Sequence, residues 1–272
     1  MTEPLRLYYW PAPNFGDALS HLVVAHVSGR AVVQARPKQA ELFALGSLMH
    51  VIAKNWTDHA RGAGPFVWGS GLLNPFYRKE FLANVRVRLL RGPISAAFLR
   101  LKMTEFGDPG LLAPEAVGPV PARSDRVVIV PHHSQMDDPR IAAMAAADPA
   151  LHVVDVRQDP VTVCREIARA AHVFSASLHG LIVADAYGVA NTWMDPDTQG
   201  RLKYHDYAAS IGRDLIAPVE IADVPKAVRT ARDRPFPYAE GVARCRESLL
   251  RHFPAELRAA GQPNRQKDTS HA

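Results

Sequence analysis

Cysteine is nearly absent: the 272 residues hold two, Cys164 and Cys245, far apart and each inside a helical pattern. That excludes a disulfide framework, leaves no cysteine spacing able to hold a metal, and favours a reducing cytoplasm. No window approaches the roughly 18 consecutive apolar residues of a membrane span. The first residues, Met1-Thr-Glu-Pro-Leu5, lack the basic and apolar regions of a signal peptide. Charge of one sign is also scarce. Lys and Arg number 32 against 27 Asp and Glu, for a net charge of +5. The thickest basic clusters, Arg86-Val-Arg88 with Arg91 and Arg265-Gln-Lys267, are too thin for a nucleic-acid interface. A small acidic substrate, or peripheral attraction to an anionic membrane face, is compatible with that balance. No G-x-x-x-x-G-K-[ST] element occurs, and Gly69-Ser-Gly71 lacks the third glycine and downstream acid of a dinucleotide fingerprint. A Ser/His/Asp order with a nucleophile elbow is missing too.

What is present is ordinary globular composition, 47% hydrophobic and 22% charged, at a length that suits two domains of about 120 residues each. Short apolar runs alternate with helical patterns almost throughout, as in parallel α/β sheets. Residues 5–10, 42–45, 65–68 and 85–90 read as strands, with a helix over 17–28 ending at Gly29 and another opening at Pro93. A Pro/Gly-rich break over 108–121 predicts an interdomain linker. Beyond it, strands over 126–130, 151–156, 171–174 and 191–194 alternate with helices over 139–147, 160–170 and 201–211 and with one that stops at Gly188. Helices over 225–231 and 238–252 follow. The pattern predicts an α/β protein with two Rossmann-like domains facing a cleft: residues 1–120, then 121–260 with the closing helix. The polar tail, 261–272, has a composition expected to stay disordered.

Chemistry-bearing residues gather where predicted strands end and helices begin. Open α/β sheets bind ligands there, because unpaired helix N–H groups and the dipole favour an anion. Asn14-Phe-Gly-Asp17 occupies the first such junction; Gly16 permits a tight turn, and Asp17 either caps the helix or serves the cleft. Arg91 ends the strand over 85–90, where its fork is placed to clamp a phosphate or carboxylate; the alternative is a surface arginine paired with a local acid. Asp108 is read as shaping a turn. In Pro131-His132-His133, adjacent side chains of an extended chain point to opposite faces, so one histidine is expected to line the cleft, and no further ligands stand at zinc spacing.

The stretch Ser175-Ala-Ser-Leu-His179-Gly180 is the most informative. The helix it opens is apolar enough to pack without His179, so the imidazole asks for a chemical explanation. At a helix N-terminus its cation is disfavoured until a bound dianion reverses that, which suits proton exchange with a phosphorylated ligand. The alternative is a structural histidine bonded to a backbone carbonyl. Arg201 and Lys203 either add positive charge to the same rim or lie on a solvated helix face. The closing helix, with Arg244, Arg246, Arg251 and His252, is expected to brace the fold.

In order along the chain, Asn14-Phe-Gly-Asp17, Gly69-Ser-Gly71, Arg91-Gly-Pro-Ile-Ser95, Gly107-Asp108, Pro131-His132 and Ser177-Leu-His-Gly180 resemble the polysaccharide pyruvyl transferase family, over residues 7 to 212. The length and the SLHG form look closest to bacterial exopolysaccharide members of succinoglycan type. The resemblance implies a two-domain fold similar to GT-B glycosyltransferases, phosphoenolpyruvate as co-substrate with no further cofactor, and a free or lipid-linked saccharide acceptor that receives a pyruvate ketal. It implies that His179 and Arg91 contact phosphoenolpyruvate and that Asp17 faces the cleft, the three forming the expected catalytic set. Asn14, Gly16, Ser70, Gly71, His132, Ser175, Ser177, Gly180, Arg201 and Lys203 complete the residues expected to bind substrate. One position departs from the pattern: many members carry an arginine two residues before the histidine, where this chain has Ser177. Two other readings stand beside this one. One is a glycosyltransferase that holds a nucleotide sugar through Asp195 or Asp197; the other is a non-catalytic subunit of polysaccharide assembly. No nucleic-acid partner is expected, and the location expected is the cytoplasm or the inner face of its membrane.

Overall fold

A computed structural model of the chain describes residues 3–57, 64–120, 122–214, 217–231 and 236–261. Pro121 and the expected disordered tail after Gly261 lie outside the described residues. Five parallel strands make the first sheet: β1 (Leu5–Tyr8), β2 (Val32–Gln34), β3 (Leu42–Phe43), β4 (Phe66–Ser70) and β5 (Arg86–Leu90), in the order β2-β1-β3-β4-β5. Four more make the second: β6 (Val127–Val130), β7 (Leu151–Val153), β8 (His172–Ser175) and β9 (Asn191–Trp193), in the order β7-β6-β8-β9, again all parallel. Parallel neighbours require crossovers. The helices are α1 (Phe15–Ser28), α2 (Met49–Asn55), α3 (Pro93–Leu99), α4 (Ala113–Val117), α5 (Pro139–Ala147), α6 (Pro160–Arg169), α7 (Leu178–Ala186), α8 (Leu202–Ile211), α9 (Val224–Ala231) and α10 (Ala239–His252). The expected α/β class, with two parallel sheets, is what the chain forms.

Helix starts follow from local chemistry. The side chains of Asn14, Asp138, Asp159 and Ser177 accept backbone N–H groups at the beginnings of α1, α5, α6 and α7, and proline fills the first turn of α3, α5 and α6. All nine residues of α7 are buried, because it lies between the sheets rather than on one face of the molecule. One core runs from Leu5 and Leu7 of β1 through Phe15 and Val23 of α1 to Ile182 of α7 and Val173 of β8. The two sheets therefore share a helical layer.

The segment read as a linker is part of that layer. Asp108 accepts the N–H of Gly110 at 2.9 Å and opens a 3-10 turn, Pro109–Leu112, that runs directly into α4. Leu111, Leu112 and Ala113 are buried, packed against α1 and α7. Pro109 and Pro114 each sit in the first turn of a helical piece, where a missing N–H does no harm, so here proline starts structure instead of breaking it.

The chain then returns to its beginning. α10 packs on α8 and also on β4 and β5. Trp68 of β4 donates Nε1–H to the carbonyl of Leu249 at 2.9 Å and meets Phe253 edge-on at 5.0 Å. Arg246 pairs with Glu115, and Arg251 and His252 with Glu105. No described helix is long and apolar enough to cross a membrane.

Candidate active site

Each sheet has one point where the chain reverses its direction of strand addition, between β1 and β3 in the first and between β6 and β8 in the second. Ligands of open α/β sheets bind at such points, beyond the strand C-termini. Here both open onto one cavity of about 490 Å³. Trp10, Asn14 and Asp17 reach it after β1, Gly46 to Leu48 with His50 and Val51 after β3, and Leu73 and Asn74 after β4. From the other side come His132 and His133 after β6, Ser177 to His179 after β8, and Gln199 and Lys203 after β9.

The two most informative motifs touch each other. A Cβ placed on Gly16 would stand 2.1 Å from Nδ1 of His179, so only glycine lets the first turn of α1 approach the imidazole this closely. Asn14, not Asp17, caps α1: its Oδ1 accepts the N–H of Gly16 at 3.4 Å, and its Nδ2 donates to Oδ2 of Asp17 at 2.7 Å. That leaves the Asp17 carboxylate facing the cavity. Burial raises Asp17 to about 6, opposed by the Asn14 hydrogen bond and by the charge of Lys203.

His179 is 8% exposed, and its Nε2 is buried with no hydrogen-bond partner. Neither ring nitrogen bonds a carbonyl among the described residues, so the structural alternative, a histidine bonded to a backbone carbonyl, is not what the side chain does. Burial, with the positive charges of Lys203 and Arg91, lowers it to about 3, so the ring is neutral near pH 7. Lys203, also 8% exposed, has no carboxylate within ion-pair distance among the described residues. Burial and the nearby Arg91 bring its ammonium down to about 8. It belongs to the wall of the cavity and not to a solvated face. His132, whose Nδ1 lies 2.8 Å from Ser134 Oγ, is likewise lowered to about 3, mainly by burial.

Arg91 lies behind the wall. Its guanidinium is 0% exposed and each of its three nitrogens donates a hydrogen bond: Nε to Oδ2 of Asp206 at 3.0 Å, Nη1 to Ser47 Oγ at 2.9 Å and Nη2 to the carbonyl of Leu72 at 2.7 Å. Asp206 also accepts from the N–H of Ser95 at 2.8 Å and from its hydroxyl at 2.6 Å. The Arg91-Gly-Pro-Ile-Ser95 motif is therefore the seat on which α8 docks. A Cβ on Gly71 would stand 2.5 Å from Arg91 Cζ, which accounts for that glycine.

The remaining expected residues divide between wall and frame. Ser177 lines the cavity and caps α7 by accepting the N–H of Gly180 at 3.4 Å. Ser70 joins the carbonyl of Gly46 to the N–H of Leu48, and Ser175 holds the turn after β8 by donating to the carbonyl of Ser177 at 2.8 Å. Arg201 is outside the cavity, over the ring of Trp193 and 3.6 Å from Asp195. Adjacent His132 and His133 both line the cavity, with ring centres 4.2 Å apart. The expectation of opposed side chains assumed an extended chain, whereas residues 133–135 form a 3-10 turn. No group of three or more His, Cys, Asp or Glu among the described residues is placed to hold a metal ion.

The family model for polysaccharide pyruvyl transferases matches residues 8–198. The chain belongs to the polysaccharide pyruvyl transferase family. No curated protein matches it. Among solved structures, the glycotransferase of kitacinnamycin is similar over 92% of this chain and 96% of that chain, with 14% identity and a TM-score of 0.43. A likeness that distant carries no argument about activity. In this pyruvyl transferase family member, Asn14, Asp17, His132, Ser177 and His179 lie inside the matched span, while Lys203 and Asp206 lie beyond it.

Sequence reasoning missed Trp10, Ser47, His50, Asn74, Gln199 and Asp206. Asp206 had one legible signal: it stands three residues after Lys203 on a helix whose Tyr204 and Tyr207 are apolar enough to be buried. The others sit on loops or on α2, whose start carries no side-chain cap to mark it.

Proposed function

We propose that this protein moves pyruvate from phosphoenolpyruvate onto a sugar of an exopolysaccharide, or of its lipid-linked repeat unit, as a ketal. The observation that carries the reading is one pair of groups on one cavity: the Lys203 ammonium, which lies over the Tyr204 ring but has no ion pair or hydrogen bond among the described residues, and the His179 imidazole with its Nε2 unpartnered. A phosphate and a carboxylate are the ligands such a pair lacks. Lys203 and the start of α7 at Ser177 take the anion. Its charge stabilises the imidazolium and raises His179 from about 3, so that the ring carries a proton to deliver.

The residues then divide the reaction. His179 gives its proton to C3 of the enol, leaving C2 electrophilic. The first sugar hydroxyl adds to C2 and passes its proton to Asp17. The bond between C2 and the phosphate oxygen breaks, with its electrons leaving on phosphate, and the second hydroxyl closes the ketal. Of the two hydroxyl protons, one replaces the proton given to C3 and the other leaves with phosphate. Arg91 acts from behind Ser47, by positioning and by its charge rather than by contact. With phosphoenolpyruvate as donor, the reaction is expected in the cytoplasm or at the inner face of its membrane.

No observation favours a nucleotide sugar. Asp195 pairs with Arg201, Asp197 bonds Arg140 at 2.8 Å and Gln135 at 3.0 Å, and neither lines the cavity. The test is phosphate release from phosphoenolpyruvate in the presence of methyl β-galactopyranoside, with the ketal methyl group read by NMR. Turnover is expected in the wild type and a loss of about a hundredfold or more in His179→Ala and Lys203→Ala with melting unchanged. Thermal stabilisation by uridine or guanosine diphosphate sugars and not by phosphoenolpyruvate would overturn the reading.

A further inference from the structure

We infer that Trp10, with the side-chain amides of Asn74 and Gln199, forms the acceptor subsite and takes a hexopyranoside lying face-on against the indole. The inference rests on the proposed transfer to a sugar and adds where that sugar binds. Trp10 lines the cavity and is 51% exposed, while Trp56, Trp68 and Trp193 are all buried. An indole left open to water at the rim of a cavity leaves its apolar area unused until a ligand covers it.

The backbone that carries the ring is also constrained. Two prolines, Pro11 and Pro13, fix the backbone after it, Asn14 N–H closes a turn on the carbonyl of Ala12 at 2.8 Å, and Gln34 Nε2 donates to the carbonyl of Tyr9 at 3.2 Å. Little conformational freedom remains in that loop to be lost on binding. Asn74 follows β4 and Gln199 follows β9, so each sheet contributes one amide to the same cavity. Neither amide group has a hydrogen-bond partner among the described residues, and the two loops converge: a Cβ on Gly200 would stand 2.6 Å from Asn74 Oδ1.

A pyranose presents one face of C–H groups and a rim of hydroxyls. An aromatic plate answers the first and primary amides, which donate and accept, answer the second. The site has the composition expected of a small-molecule pocket, an apolar wall with a few placed polar groups. Asp17 and His179 on the inner wall of the same cavity are where the reacting pair of hydroxyls has to point.

As the exposed tryptophan, Trp10 gives a direct readout. Methyl β-galactopyranoside and methyl β-glucopyranoside, tested without donor, are expected to shield fluorescence from acrylamide quenching, and Trp10→Phe abolishes that shielding signal. In turnover, Trp10→Ala is expected to raise the acceptor KM about tenfold, leaving phosphoenolpyruvate affinity and the melting temperature unchanged. Trp10→Phe restores most of the loss, and Asn74→Ala and Gln199→Ala raise the same KM. An acceptor KM unmoved by Trp10→Ala, or one that rises only together with loss of donor binding, overturns the subsite. Shielding of Trp10 by a hexoside in a protein that never releases phosphate would sink the transfer reaction and leave the subsite standing. Turnover without any shielding would do the reverse.

Discussion

Asp17, Lys203 and His179 share one desolvated space, and each holds the charge state that its neighbours leave it. Asp17 acts as a base only when ionised, above its value of about 6, and Lys203 holds an anion only when protonated, below about 8. In the dependence of kcat/KM on pH, Asp17 is therefore expected to set the acid side through about 6 and Lys203 to steepen the fall on the alkaline side through about 8. Over that range His179, at about 3, has to take up its proton with the donor. Lys203→Arg should carry the added alkaline steepness out of range, and a fall that stays as steep would remove Lys203 from the anion site. The same carboxylate has a stability signature of the opposite sense to an ordinary ion pair. Its folded value lies above the ordinary aspartate value of 3.8, so burying the ionised form costs stability, fully above pH 6 and not at all below 3.8. Asp17→Asn should accordingly be more stable by about 1–3 kcal/mol at pH 8, with no gain at acid pH, while losing activity. Denaturant titrations at the two pH values measure the difference. Gly16→Ala should fail in both respects, because the new methyl group meets the imidazole at 2.1 Å. These residues were legible because each strand-to-helix junction advertises itself by its residue types. Arg91 misled for a plain reason: a strand-end guanidinium looks the same in sequence whether its fork faces a ligand or an aspartate 115 positions away.

α8 carries both the cation of the site and the anchor that aims it. Lys203 and Asp206 are one turn apart on a shared face, and the Asp206 carboxylate is held from the first sheet by Arg91 and Ser95. Removing one member of a buried pair leaves the other charge uncompensated, so Asp206→Ala should cost about 3–5 kcal/mol. Replacing both, as Arg91→Met with Asp206→Leu, should recover part of that stability without recovering activity, since the uncompensated charge would be gone while the Ser95 N–H and the Leu72 carbonyl lose their partners and Lys203 its aim. Chemical denaturation with parallel turnover assays separates the two effects. A double variant as active as the wild type would show that the pair aims nothing. Other elements escaped the sequence for local reasons. β2 is three residues long and largely solvent-facing, and its apolar run, Val32-Val33, is too short to stand out from the chain around it. The helical pieces around Pro109 and Pro114 use the residues that usually punctuate loops.

Two lobes with one shared helical layer should not unfold as two. Trp68 reports on the first sheet and Trp193 on the second, and both are buried. Single-tryptophan variants retaining one or the other are expected to give coincident denaturant transitions, because α1, α4, α7 and α10 belong to both halves at once. Two separated midpoints would show independent domains. The alternation of strands and helices foretold the pair of sheets, since it is a local pattern repeated along the chain. The depth of the contact between them depends on which helices face inward, and periodicity on a helix such as α7, apolar on every side, does not say.

The return of α10 to β4 bears on how the chain acquires its shape during synthesis. The carbonyl that satisfies the Trp68 indole belongs to Leu249, and Ala259 N–H closes onto the carbonyl of Ser28 at 2.7 Å. A nascent chain thus holds its first sheet unfinished, with a polar group and an aromatic face awaiting partners, until the segment from Leu249 to Ala259 has been made and has folded back.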